Sequence, residues 1–438
     1  MQRRTFLSLL AVPAVAQLLQ SCGDDSNGSV SSTTPAGAAQ RSSLKGEAPL
    51  AATTPQDAVA ASAAINAFAA DLYERLVGAD STANVVFSPA SIAVALTMTS
   101  AGAKGTTLQE MDTVLHVTDP ATIHRSMNGL TTALEALNQA VDNTAEGGTG
   151  TSEVQLSIAN SLWGQTGLQF EQAFLDLLSA EYDAGLELVD YATDPEAARA
   201  AINAWVAEET NDRIPELLAE GSITADARLT LVNAIYLKAN WATTFDKEQT
   251  ADEPFAAPAG EVTAAMMHST ADFGYAAGEG WQAVDLPYVF GGLTFTAVLA
   301  DEDTPVPTAD EVFASLGSRS VQLGLPRFDI ETSVDLATLL AEMGMATAFS
   351  GEADFSGMTT QASLMIGAVI HQANITVDEE GTEAAAATAV VMVETALPEP
   401  EEPVVLTFDR PFTFWLRDRG TGAVLFAGRV NDPSAVRG

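Results

Sequence analysis

The spacing of apolar residues changes along this chain, and that change constrains its fold more than any other feature. Residues 58–76 read AVAASAAINAFAADLYERL, in which Ile65, Phe68, Leu72 and Leu76 fall on one helical stripe. A second helix is expected to open at Pro89, with Ser88 as N-cap and proline at the first helical position, where its missing N–H costs nothing. Further helices are expected around 121–138, 171–181 and 194–209. Apolar, β-branched runs read instead as strands: Val154 to Leu162, Leu229 to Leu237, Leu293 to Leu299, Val321 to Leu325, Leu364 to Thr376, Val404 to Phe408, Phe412 to Arg417 and Ala423 to Arg429. Residues 142–152 form a polar loop between elements. Helices crowd the first half and strands the second, an order that argues α+β rather than regular βαβ alternation. No internal repeat is visible.

With 438 residues, 47% of them hydrophobic, the chain can bury a large core. Length alone suggests two or three domains, at about 100–200 residues each. Net charge is −39, from 58 acidic against 19 basic residues. Such a surface repels nucleic acid, whose binding requires Lys and Arg in place of phosphate counterions. Lysine is scarce, at Lys45, Lys104, Lys238 and Lys247. The charge fits either an acidic exported protein or one adapted to high salt, where self-repulsion is screened.

The lone cysteine, Cys22, excludes an intrachain disulfide. It ends an N-terminus reading MQRRTFLSLLAVPAVAQLLQSC. Arg3 and Arg4 before a short apolar run read as a twin-arginine export signal. Leu19-Gln20-Ser21-Cys22 reads as a lipobox, with Cys22 the lipidation site. The alternative is an ordinary signal peptide with an incidental cysteine. The expected organisation is an export signal over 1–22, a disordered tether over 23–55 rich in Ser, Gly, Thr and Ala, and a folded unit over 56–438. The chain is then exported to the extracellular face of the cell envelope and touches membrane only through its N-terminal lipid.

Enzyme chemistry finds little support. The histidines His116, His124, His268 and His371 lie in no HExxH pattern and have no second ligand at metal spacing. No GxSxG elbow, Walker A loop or GxGxxG loop occurs. No metal or cofactor is expected.

One segment is ambiguous. From Glu379 the chain reads EEGTEAAAATAVVMVETALPEPEEPVV. Its alanine run could form a helix or a linker. Thr382, Ala384, Ala386, Thr388 and Val390 also form an alternate set of small or β-branched residues that could enter a crowded sheet, with Glu383 pointing outward. A segment able to live exposed or as a strand is a candidate switch.

This stretch resembles the reactive-centre-loop hinge of the serpins, and further motifs follow in family order over about 375 residues. Asn84 to Ile92 resembles NxxxSPxSI, and Gly102 to Thr107 a GAxGxT element. Asn203-Ala204-Trp205-Val206 resembles INxWV, and Leu231 to Tyr236 resembles LVNAIYF with Trp241 at the family spacing. Leu325 to Phe328, Asp354-Phe355-Ser356-Gly357 and Pro411 to Val430 resemble LPKF, the DFSG turn and the C-terminal signature. Two departures, Ala239 for a usual glycine and Gln372 for a usual lysine, lie outside the hinge.

The resemblance implies a single domain of three β-sheets and about nine helices, with an exposed reactive-centre loop. It implies a monomeric inhibitor, not an enzyme. A serine-type protease, or a cysteine protease, cleaves the loop, is held as the acyl-enzyme, and is carried along as the loop inserts into the central sheet. Hinge residues would be Glu379, Glu380, Gly381, Thr382, Ala384, Ala386 and Thr388. Ser88, Ser91, Asn233 and His371 would form a shutter beneath the sheet, and Trp241, Arg327 and Glu379 a breach at its top, with Arg327 pairing Glu379, bidentately if geometry allows. The reactive bond would be Thr395–Ala396, or Glu394–Thr395. No Lys or Arg lies between Gly381 and Asp409, so the target is expected to be elastase- or subtilisin-like, or glutamate-specific if Glu394 precedes the cut. The alternative is a non-inhibitory serpin that binds a partner at the envelope. Such members often carry bulky or charged residues at the inward hinge positions, which are small here.

Overall fold

The computed structural model describes residues 41–142, 151–382 and 402–435. The first half runs β1 (Ser42–Leu44), α1 (Pro55–Ala79), β2 (Val85–Phe87), α2 (Pro89–Ser100), α3 (Gly105–Val114), α4 (Ile123–Glu135), β3 (Gln139–Asp142), β4 (Thr151–Gln165), α5 (Gln172–Tyr182), β5 (Leu186–Val189) and α6 (Pro195–Glu209). Then follow β6 (Leu229–Asn240), β7 (Ala251–Ala257), β8 (Gly260–Gly278), β9 (Trp281–Pro287), β10 (Leu293–Ala300), α7 (Ala309–Ser315), β11 (Gly317–Pro326), β12 (Phe328–Asp335) and α8 (Ala337–Leu340). The last elements are β13 (Val369–Val377), β14 (Gly381–Thr382), β15 (Val404–Thr407), β16 (Phe412–Asp418) and β17 (Val424–Val430).

The α+β expectation holds, and each helix placed from apolar spacing is present within a few residues. Helix α1 starts at Pro55 because Thr54 and Asp57 close a reciprocal capping box. Helix α2 opens at Pro89 under a Ser88 cap, and all twelve of its residues are buried. A helix that is apolar all round belongs inside the molecule. Among the described residues, no helix is long and apolar enough to cross a membrane.

Among the described residues, hydrogen bonding links the strands into two continuous sheets, the second of which joins two of the three expected. One runs β1-β5-β4-β6-β14-β13-β12, with β3 also on β4; the other runs β15-β11-β8-β9-β10-β16-β17-β2, with β7 on β8. The second is continuous because β8 is nineteen residues long. Its first residues, to Met266, pair with β7, Met266 to Tyr275 pair with β11, and Gly274 to Gly278 pair with β9. Two layers that a shorter strand would leave apart are thereby joined.

Three expectations are corrected. Residues 41–54, placed in the tether, are ordered on the domain. Strand β1 pairs antiparallel with β5, Lys45 Nζ donates to Asp183 at 2.6 Å, and Ala51 N donates to Ala180 O at 2.8 Å. Backbone pairing and polar contacts hold this segment, so it carries no apolar periodicity. The remainder of the proposed tether and Cys22 lie outside the described residues. The expected loop over 142–152 overlaps a hairpin, since β3 pairs with the start of β4. The strand expected from Leu364 begins only at Val369. Below that point pairing stops: β12 ends at Asp335 opposite Ile370, and the register with β6 begins at Leu231 opposite Val369.

Two family-like motifs meet at a backbone crossing. Gly357 N donates to Gly102 O at 3.0 Å. A Cβ on Gly357 would lie 2.7 Å from that oxygen, whereas one on Gly78 in α1 meets nothing within 4 Å. Gly357→Ala should lower unfolding free energy by about 1–3 kcal/mol, and Gly78→Ala should raise it by up to about 1 kcal/mol. Thermal and urea unfolding of both variants checks the contrast.

Candidate functional site: a gated gap in the central sheet

Strands β6 and β13 are parallel neighbours from Leu231–Val369 to Ala234–Gln372. Five residues further up they are one strand apart. There β14 lies between them, antiparallel to both, with Thr382 opposite Ala239 and Val377. The sheet therefore splays from a closed base to a top already wedged open by two residues of the hinge.

The closed end is locked by a hydrogen-bonded row. Register places Asn160 of β4 opposite Asn233 of β6, and Asn233 opposite His371 of β13. Ser88, pinned as the α2 cap, donates its backbone N–H to His371 Nε2 at 3.1 Å. That nitrogen must therefore be the acceptor, and Nδ1 carries the proton that it donates to Asn233 Oδ1 at 2.6 Å. Asn233 Nδ2 then donates to Ser91 Oγ and to Asn160 Oδ1, the latter at 2.7 Å. Ser91 Oγ also donates to Asn160 Oδ1 at 3.0 Å. Burial pushes His371 down to about 3, so the ring is neutral. The four expected shutter residues come together. Asn160 was missed, although an asparagine inside the run Ile158 to Leu162 was a signal, since strands are poor in Asn.

The top of the gap is held differently. Residues 378–381 form a tight turn in which Asp378 Oδ1 accepts from Glu380 N at 2.8 Å and Gly381 N at 3.1 Å. Trp241 Nε1 donates to Asp378 O at 2.9 Å, and Trp241 N to Glu380 O at 2.9 Å. The indole stacks on Tyr288 at 4.4 Å, and the Tyr288 hydroxyl bonds Thr382 Oγ1 at 2.6 Å. Glu379 is nearly fully buried and accepts from Thr250 Oγ1 at 2.7 Å. Its pairing with Arg327 is a single approach from Nε at 3.7 Å, not the bidentate fork. Glu380 is held by Lys247. Tyr288, Thr250, Lys247 and Asp378 carried no sequence signal, because they belong to loops and a long meander that only the fold brings here.

Gly381 is required by close approach. Its φ is +155°, and a Cβ there would lie 2.0 Å from Ala239 O. Thr382 is 2% exposed. Ala384, Ala386, Thr388 and the candidate reactive bond at Glu394, Thr395 and Ala396 lie outside the described residues. No group of three or more His, Cys, Asp or Glu able to hold a metal occurs among the described residues.

Residues 63–433 match the family model Serpin (serine protease inhibitor). An uncharacterised serpin-like protein of Thermococcus kodakarensis is 36% identical over 84% of this chain and 85% of its own length. The leukocyte elastase inhibitor of Bos taurus is 36% identical over 85% and 99%. Among solved structures, the native state of the thermophilic serpin tengpin superposes with a TM-score of 0.75 at 25% identity, covering 90% of this chain and all of that one. The chain belongs to the serpin family, whose members are protease inhibitors and not enzymes, with some non-inhibitory exceptions.

Two histidines, His371 buried and His124 partly buried, give the fold an acid dependence. His124 is pushed down to about 4 by burial. Both folded values lie below the usual value of about 6.5. Stability is therefore complete above about pH 6.5 and falls as pH drops, because the unfolded chain takes up protons that the folded chain refuses. Between pH 6.5 and 5 the slope approaches about 1.4 kcal/mol per pH unit for each histidine. Burial raises Asp378 and Asp112, which pull the other way, but they cancel when variants are compared. Urea unfolding across this window should show His371→Gln taking up about one proton fewer than the parent.

Proposed function

We propose that this serpin inhibits a serine-type endopeptidase as a suicide substrate, by loop cleavage and insertion of the hinge side into the gap between β6 and β13. The observation that carries the reading is β14. Two hinge residues already pair as a strand, so insertion extends an existing register. Six residues beyond Thr382, that register puts Thr388 opposite both Asn233 and His371. Insertion must then break the His371–Asn233 bond, and a threonine hydroxyl arrives between the separated partners. The face away from the main core is covered by α6, whose Ile202 and Val206 cluster with Val232 and Ala234. Ala385, Ala387 and Ala389 would face that helix, which explains why the outward hinge positions are small as well.

The energetics suffice. An inserted strand of about 15 residues spans about 50 Å. It gains on the order of 10 kcal/mol at about one net kcal/mol per backbone hydrogen bond. Distorting a protease active site costs less, so the acyl-enzyme is trapped.

The loop between Gly381 and Asp409 has no cationic residue, and Val391 to Thr395 suit a shallow elastase- or subtilisin-like pocket. The reactive bond is assigned to Thr395–Ala396, with Glu394–Thr395 the alternative one residue away. Leukocyte elastase inhibitors among the relatives agree with that target class. The N-terminal signal and Cys22 support export and lipid anchoring at the outer face of the envelope, with the monomeric domain working on proteases there.

Incubation with an elastase, a subtilisin, a trypsin and a glutamate-specific protease tests the function. The expected result is a covalent complex stable on denaturing gels with the first or second of these, releasing a peptide that begins at Ala396. Cleavage without any complex, in every protease and at low and molar salt, would contradict it. Thr382→Arg places a charge where a hydroxyl is now buried against Tyr288. It should convert the inhibitor into a substrate, read as a rise of at least about tenfold in moles of inhibitor consumed per protease, since burying an unpaired charge costs several kcal/mol.

A further inference from the structure

We infer that the cavity where β10 ends beside β16 and β17 binds a small apolar monocarboxylate, with Arg429 receiving the carboxylate. The site is independent of loop cleavage and insertion. Its volume is about 520 Å³, inside the range of about 300–1,000 Å³ usual for small-ligand pockets.

Strand register builds the floor. Val298 of β10 lies opposite Thr413 of β16, and Thr413 lies opposite Arg429 of β17. Directly opposed residues share a face of the sheet, so the three side chains stand in one row on the side of α1. There the Tyr73 hydroxyl and Thr413 Oγ1 are 2.6 Å apart. Two hydroxyls share that one bond; when Tyr73 donates, the Thr413 hydrogen is left for an occupant. Burial raises the Tyr73 phenol, and the Thr413 bond and the nearby Arg429 charge oppose the rise.

The two arginines of the cavity differ in what they hold. Arg410 pins the rim: Nη2 donates to Asp301 Oδ1 at 2.9 Å, Nη1 to Asp409 Oδ1 at 3.2 Å and Nε to Ala300 O at 3.4 Å. Its charge is matched. Arg429 is half-buried, and among the described residues its side chain has no hydrogen bond and no ion pair. In a chain with 58 acidic against 19 basic residues, carboxylates to pair it are plentiful. A guanidinium that has given up part of its water and gained no partner is costly. A bound carboxylate removes that cost through a charge-assisted, bidentate pair.

The remaining walls set the class of ligand. Ala256, Ala300, Val306 and Pro411 line the cavity with apolar surface, and Val306 is left 40% exposed at the rim. They suit a hydrocarbon chain or ring attached to the carboxylate. Glu302 and Asp303 also line the cavity and are exposed, so a second negative charge on the ligand would be repelled.

The test titrates the full-length protein calorimetrically with hydrocinnamate, its neutral amide and the dianion phenylsuccinate. Salt is held at about 0.5 M, where the overall negative charge is screened beyond about 4 Å. Hydrocinnamate should bind saturably at one site, and the amide and the dianion at least about tenfold more weakly. Arg429→Gln should weaken hydrocinnamate at least about tenfold and abolish the preference for acid over amide. Val306→Asp, a change at an exposed position, should weaken it similarly, and it carries the test alone if Arg429→Gln does not fold. No saturable binding to the parent, an amide that binds as well as the acid, or variants that bind like the parent would overturn the site.

Discussion

A single neutral imidazole joins the two halves of the central sheet. His371 accepts from the Ser88 backbone and donates to Asn233, and Asn233 in turn fixes Ser91 and Asn160. Each bond constrains the next. If Nε2 carried the proton, Ser88 N–H would face a donor and the Asn233 amide would have to flip. The row crosses three strands and reaches the first turn of a fully buried helix. The base of the gap thus stays shut while the upper part is free to respond to the hinge.

The top of the gap is built on different physics. No imidazole gates it. A turn capped by Asp378, a stacked Trp241–Tyr288 pair and the absence of a side chain at Gly381 let Gly381 and Thr382 enter. Three consecutive acidic residues, Asp378, Glu379 and Glu380, converge on that turn with Lys247 and Arg327 as cations. In a chain of net charge −39 this is a costly concentration. It is tolerated because Glu379 and Glu380 each find a specific donor and Asp378 takes backbone N–H groups. The structure is held open at one end by packing and held closed at the other by hydrogen bonds.

Much of this was legible in the sequence. The helices of the first half announced themselves through apolar stripes and caps. The shutter residues were placed by resemblance and lie together at the base of the gap, whereas the hinge beyond Thr382 lies outside the described residues. The strands from Ala251 to Pro287 were not foreseen, because their alanines, glycines and acids carry little strand propensity and their alternation is broken. Strand β1 escaped notice because an edge strand held by backbone pairing needs no apolar pattern. Asn160 carried a local signal, but its partner Asn233 follows only from cross-strand register, which the assembled sheet fixes. Tyr288 carried none, because only the fold brings its loop onto Trp241 and Thr382. The strand expected from Leu364 is instructive in the same way: the local signal was present, but the pairing with β12 and β6 begins only at Ile370 and Val369.

The central claim is that the splayed region between β6 and β13 is a receiving site for a strand. Amide hydrogen exchange, measured on the protein before and after a single cut in the loop, tests this most directly. The account predicts that protection rises along both strands, between Ala234 and Ala239 and between Gln372 and Val377, while the rest of the central sheet changes little. Equal exchange in these segments before and after cleavage would contradict it, whatever the protein did to a protease.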